Sequence, residues 1–238
     1  GVGAIEHMKA HLLGQDPMNI EYLWQVMFRG DFFPGGRIGA AAISAIDIAL
    51  WDIKGKALEQ PVHMLLGGKL RDRVACYTGI GGSTPQETAE TGQARVEAGW
   101  QYLRLSVNDR HGILDARTAV RDSVAHFAAV RQAVGPDVEI CIDVHTRLDP
   151  PDAIRLGRLL EEYDPFFIED PLRCENPQSY RQVRQHVSSP LAVGEHYATK
   201  WEFRQMVEEE LLDYARIDLC IVGGITEARK ITNWCETH

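Results

Sequence analysis

The spacing of apolar positions changes near residue 73. Before it the chain reads as helical. Ile43, Ile46, Leu50, Ile53 and Ala57 recur at steps of three and four, which predicts one buried helix face. Gly67-Gly68 interrupts that pattern, and DFFPGGRIG at 31–39 reads as a loop from its Pro and Gly content. After Arg73 short apolar runs alternate with helical stretches. Strands are predicted at 74–78, 102–107, 138–143, 166–169, 191–195 and 214–218, and helices at 86–98, 116–134, 151–163, 177–187, 200–210 and 224–236. Repeated βα units imply a parallel sheet. With no GxGxxG or GxxxxGK[ST] run, a barrel is favoured over a doubly wound nucleotide-binding sheet. The expected fold is α/β: a TIM-like (β/α) barrel, incomplete at about six βα units, preceded by helices. Six units do not close an eight-stranded barrel, so a missing remainder is expected.

Composition narrows the function classes. The formal net charge is −9 and no basic stripe occurs, which argues against nucleic-acid binding. No apolar run is long enough to span a bilayer, and no signal-peptide pattern opens the chain. Cys76, Cys141, Cys174, Cys220 and Cys235 are odd in number, widely spaced and without a CxxC. A disulfide framework or structural zinc site is therefore not expected, and a reducing cytoplasm is. Cys76, Cys141 and Cys220 fall in apolar runs and are expected in the core.

Acids then supply the candidate chemistry. CID (141–143), FIE (167–169) and VGE (193–195) each end an apolar run on a carboxylate, and Asp143, Glu169 and Glu195 are evenly spaced at 26 residues. That interval matches one βα unit, so three consecutive strand ends would bring three carboxylates to one barrel face. Any one acid could be a helix cap or a solvated loop residue. Three in register repel one another unless a cation is held among them, and hard oxygen donors favour Mg2+, with Mn2+ possible. His145, two residues past Asp143, would share its side if the strand continued. His196 follows Glu195 directly and could face substrate only if the chain has already turned. Arg147 could contact a substrate hydroxyl or carboxylate, or equally be a surface residue. Asp218 ends the sixth run and could orient a histidine. His7, His63, His111, His126, His186 and His238 lack clustered acids and are read as structural or solvated.

These residues resemble the mandelate racemase branch of the enolase superfamily. The segment SAIDIALWDIKGKALEQPVHMLLGGKLRD (44–72) is similar to the last helix of that family's α+β capping domain and the linker into its barrel, and CIDVHTR, FFIEDP, AVGEH and GGITEARKI look like its third to sixth strand regions. The implied division is 1–72 for capping-domain helices and linker, and 73–238 for the first six βα units. Within the branch the similarity is greatest to D-galactonate and D-mannonate dehydratases, which share Asp-x-His followed by Arg, here Asp143, His145 and Arg147.

The resemblance implies Mg2+ ligation by Asp143, Glu169 and Glu195. It implies removal of a sugar acid's α-proton through a metal-stabilised enediolate, then loss of the β-hydroxyl to give a 2-keto-3-deoxy acid. His145 would be the general acid, and Asp218 would orient a histidine base expected beyond residue 238. Homo-oligomers are common in the family. One departure is informative: where racemases and lactonising enzymes carry Lys-x-Lys on the second strand, this chain has Arg104 and Ser106. Arginine stays protonated and makes a poor base, which favours dehydration over two-base racemisation. A racemase, epimerase or cycloisomerase is the alternative, and a non-catalytic relative the second.

Overall fold

A computed structural model describes residues 1–30, 32, 35–107 and 115–238. The chain divides into two compact units. One comprises Val74–Val193 and Glu210–Tyr214; the other Gly1–Arg73, Gly194–Glu209 and Ala215–His238.

The fold is α/β. Six parallel-type strands lie in chain order in one sheet: β1 (Thr78–Gly79), β2 (Tyr102–Ser106), β3 (Glu139–Asp143), β4 (Ile168–Glu169), β5 (Leu191–Val193) and β6 (Tyr214–Ala215). Pairing from β1 through β5 is parallel. Helices α5 (Pro85–Glu97), α6 (Ala116–Val134), α7 (Pro150–Leu160) and α8 (Tyr180–His186) connect successive strands. This is the βα order expected of a barrel's first six units. Local signals set the helix starts. Pro85 occupies the first turn of α5, Thr84 accepts the Glu87 N–H, and the Glu87 carboxylate accepts the Ser83 N–H in return. Asp115 caps α6 through the Thr118 N–H. Along β2 burial alternates: Leu103 and Leu105 are buried, while Arg104 and Ser106 lie on the other face. Leu103, Ile140, Ile142, Phe127, Leu156 and Ile168 are among the fully buried side chains of this unit.

The other unit holds α1 (Val2–Leu12), α2 (Ile20–Arg29), α3 (Gly36–Ala57), α4 (Val62–Leu65), α9 (Lys200–Glu208) and α10 (Gly224–Cys235). Met8, Trp24, Met27, Ala42 and Ile43 pack together, as do Ile20, Leu23, Leu50 and Trp51. Buried polar bonds tie α2 and α3 to the start of α10. The Trp24 indole N–H donates to the Gly223 carbonyl at 2.8 Å, and Gly223 N–H to Ser44 Oγ at 2.8 Å. Thr226 N–H donates to Asp47 Oδ2 at 3.0 Å. Among the described residues no helix is long and apolar enough to cross a membrane.

Several expectations are corrected. The first strand is at Thr78–Gly79, where the Ile80 N–H reaches the Arg104 carbonyl; 74–77 stay outside the sheet. The fifth and sixth strands stop at Val193 and Ala215, short of Glu195 and Asp218. Cys141 is buried as expected, but Cys76 and Cys220 are exposed. Ile53 and Ala57 are exposed too, because the buried stripe of α3 runs instead through Ala40, Ile43, Ser44, Asp47, Leu50 and Trp51. Of the loop expected at 31–39, positions 31, 33 and 34 lie outside the described residues, and α3 already starts at Gly36. His111 also lies outside them.

Candidate active site

In the sheet-bearing unit, strand register brings two acids together. Asp143 pairs with Glu169 across β3 and β4, each the last residue of its strand, and both are buried. Val144 N–H donates to the Glu169 carbonyl at 3.0 Å, and Thr146 N–H to that of Asp170 at 2.8 Å. The two chains thus stay parallel beyond the acids. His145 (φ 51°), Thr146 (φ 58°) and Asp170 (φ 37°) are non-glycine residues in the left-handed region. Such backbone is costly and accumulates at functional sites.

That turn corrects one expectation. His145 meets Asp143, but not because the strand continues. β3 ends at Asp143, and the turn brings His145 Nε2 back to 2.9 Å from Asp143 Oδ2, while the His145 N–H donates to Oδ1 at 3.0 Å. Arg104 joins them. Its strand partner is Cys141, two residues before Asp143 on the same face. From there Nε donates to Asp143 Oδ2 at 3.1 Å, Nη2 forms a closer contact with the same oxygen, and Nη2 also lies 3.1 Å from His145 Nε2. Burial pulls the Arg104 pKa down, but the hydrogen bond and charge of Asp143 outweigh it, and the net shift is upward. Arg147 is exposed.

The helical unit carries the remaining candidates. Gly194 (φ 134°) turns the chain out of β5, and the Tyr197 N–H closes a turn on the Gly194 carbonyl at 2.9 Å. A side chain at 194 would press its Cβ to 2.5 Å from the Phe203 ring, so only glycine fits both the conformation and the space. The turn is the condition under which His196 was expected to serve. His196 Nε2 lies 3.7 Å from Glu195 Oε1, and its carbonyl accepts Arg37 Nε at 2.7 Å. Glu195, Ala215, Arg216, Ile217, Asp218 and Thr232 line a cavity of about 480 Å³. Asp218 Oδ1 accepts the Cys220 N–H at 2.7 Å, and the Asp218 carbonyl accepts the Ile221 and Val222 N–H groups. It therefore shapes the loop before α10 as well as lining the cavity.

Sequence reasoning did not anticipate the Arg104 contacts, the burial of Asp170 or the Arg37–His196 bond. Period-two alternation could have placed Arg104 on the Asp143 face. Nothing local links Arg37 to a residue 159 positions away.

The donor set fits a divalent cation. Asp143 and Glu169 are buried carboxylates at adjacent strand ends, and hard anionic oxygens suit Mg2+.

Comparison with known proteins agrees with these features. Residues 87–238 match the family described as "Enolase C-terminal domain-like", and residues 3–67 the "Mandelate racemase / muconate lactonizing enzyme, N-terminal domain". A D-galactonate dehydratase of Ralstonia nicotianae is 40% identical over 99% of this chain and 62% of its own length; one of Verminephrobacter eiseniae is 39% identical with the same coverage. The chain thus spans 62% of the length of these curated relatives. Among solved structures, an enolase superfamily member from Salmonella Typhimurium superposes with a TM-score of 0.94 at 35% identity, over 99% of this chain and 66% of that one. An enolase from Pantoea ananatis with bound D-gluconate and Mg superposes with a TM-score of 0.91 at 31% identity, over 100% of this chain and 66% of that one. The chain belongs to the enolase superfamily, in its mandelate racemase and muconate lactonizing branch.

Proposed function

We propose that the protein is a lyase: a Mg2+-dependent dehydratase that converts an aldonic acid to a 2-keto-3-deoxy acid. The observation that carries the reading is the pair of buried carboxylates, Asp143 and Glu169, in register at adjacent strand ends with the His145 imidazole against the first. Kinship to relatives named D-galactonate dehydratase, and to a structure holding D-gluconate and Mg, supports the substrate class. The expected division at residue 72 belongs to the same reading and is supported by the two family matches. So does a cytoplasmic location, which the odd, widely spaced cysteines suit.

In this reading Asp143, Glu169 and Glu195 hold the metal. Once bound, Mg2+ (or Mn2+) supplies the positive charge that the carboxylate end of the substrate needs as its α-proton leaves. His145 delivers a proton to the departing β-hydroxyl. Asp218 holds a histidine base in the tautomer that accepts the α-proton. Arg147 and His196 bind hydroxyl or carboxylate groups of the substrate. Arg104, in a position where racemases of the branch carry a lysine, disfavours a two-base exchange.

The test is a panel of five- and six-carbon aldonic and uronic acids with detection of 2-keto-3-deoxy products. Turnover of an aldonate that stops with EDTA and returns with Mg2+ is expected. Solvent exchange of the α-proton without loss of water would favour a racemase or epimerase, and metal binding without turnover of any acid would favour a non-catalytic relative. Asp218→Asn keeps an oxygen for the Cys220 N–H and should slow α-proton exchange more than it weakens substrate binding.

A further inference from the structure

Resting on the reading of Asp143 as a metal ligand, we propose that Arg104 is a positioning residue that holds the Asp143 carboxylate when no metal is bound and opposes metal entry, so that loading the site releases both the guanidinium and the His145 imidazole. The geometry concentrates the competition on one atom. Asp143 Oδ2 receives Arg104 Nε and Nη2 and lies 2.9 Å from His145 Nε2, whereas Oδ1 receives the His145 N–H. The carboxylate side chain is 1% exposed and the guanidinium 24% exposed.

A carboxylate buried to that degree needs a counter-charge, and the planar fork of arginine supplies one with directed hydrogen bonds. The guanidinium does not lose its proton, so it cannot yield to an arriving dication by becoming neutral. It has to move away, or remain as a repelling charge beside the ion. Its partial exposure and flexible stem leave it free to move. In both cases Arg104 subtracts from metal affinity, and the metal subtracts from the hold of Arg104 on Asp143. A released guanidinium also suits a planar substrate carboxylate, which couples metal loading to substrate capture.

An arginine that merely oriented the ligand would have the opposite sign, because its removal would disorder Asp143 and weaken metal binding. The sign of one measured change therefore decides. Free Mn2+ is followed by electron paramagnetic resonance during titration of the intact, metal-stripped wild type, Arg104→Gln, Arg104→Lys and Asp143→Asn, with circular dichroism reporting the fold. Asp143→Asn should bind Mn2+ more weakly. Arg104→Gln should bind it roughly five-fold or more tightly than wild type, and Arg104→Lys, which keeps charge without the fork, should fall between them. Equal or weaker binding by Arg104→Gln, with Asp143→Asn still impaired, overturns the role of Arg104 alone. Binding by Asp143→Asn that matches wild type overturns the ligand reading and this proposal with it. If Arg104→Gln fails to fold, Arg104→Lys decides: tighter binding than wild type supports the proposal, and equal or weaker binding overturns it.

Discussion

Lys200 and Glu227 form an ion pair at 2.8 Å in which the carboxylate is fully buried and the ammonium lies 4.0 Å from the centre of the Trp201 ring. Lys230 stands 3.5 Å from the other Glu227 oxygen. Breaking such a pair from one side leaves a buried charge poorly compensated. Lys200→Met should cost about 2 to 3 kcal/mol, below the full value for a closed pair because Lys230 remains. Urea unfolding of Lys200→Met and of Lys200→Met/Glu227→Leu checks this. The double variant should recover much of the loss, and a double variant less stable than the single would contradict the account.

Glu169→Gln and His145→Asn separate metal holding from proton transfer. Glu169 is buried, and the amide keeps its shape while removing the charge. Metal binding should be largely lost with the fold intact. His145→Asn should hold metal within a few-fold of wild type while turnover falls by about two to four powers of ten. Calorimetric metal titration beside steady-state kinetics tells the two apart. A large loss of metal affinity in His145→Asn with little kinetic change would reverse the roles.

Gly194→Ala tests the turn that ends β5. Its φ of 134° disfavours any side chain, and a Cβ there meets the Phe203 ring. The expected loss is about 2 to 4 kcal/mol, from backbone strain and overpacking together. Thermal unfolding measures it, and a loss under about 0.5 kcal/mol would show that the ring moves aside freely.

Asp47 gives the fold a pH signature. Burial drives its carboxyl pKa up, and the Thr226 hydrogen bonds only partly offset this. Among the described residues Oδ1 has no hydrogen-bond partner. A raised pKa means that the folded state keeps the proton after the unfolded state has lost it. Stability from this group is greatest below the ordinary aspartate pKa and is lost as pH rises through the folded value. Asp47→Asn should thus be as stable as wild type or more so at neutral pH, with the difference shrinking toward acid. Denaturation curves at several pH values read this directly.

The helices were legible because their information is local. Thr84, Pro85 and Asp115 mark starts, and three-four spacing marks length. Strand limits were less so. Glu195 and Asp218 looked like strand ends because the preceding runs are apolar, yet the Gly194 turn stops β5, and pairing with a neighbour decides where β6 stops. The first strand was misplaced for the same reason, since Thr78 and Gly79 are fixed by Leu103 and Arg104. Asp143 and Glu169 were readable from their spacing. The guanidinium on Asp143 comes from 39 residues away and was seen only as a departure from a motif.

The bonds from Trp24, Ser44 and Asp47 to the start of α10 also set a timetable for synthesis. Trp24 and Gly223 are 199 residues apart, and Asp47 and Thr226 are 179 apart. A ribosome adds roughly 5 to 20 residues each second, so the first helices wait on the order of ten to forty seconds for these partners to be made. Throughout that interval the Trp24 indole and the Asp47 carboxylate lack their final contacts. Until α10 leaves the exit tunnel, α2 and α3 carry polar groups whose buried partners have yet to be made.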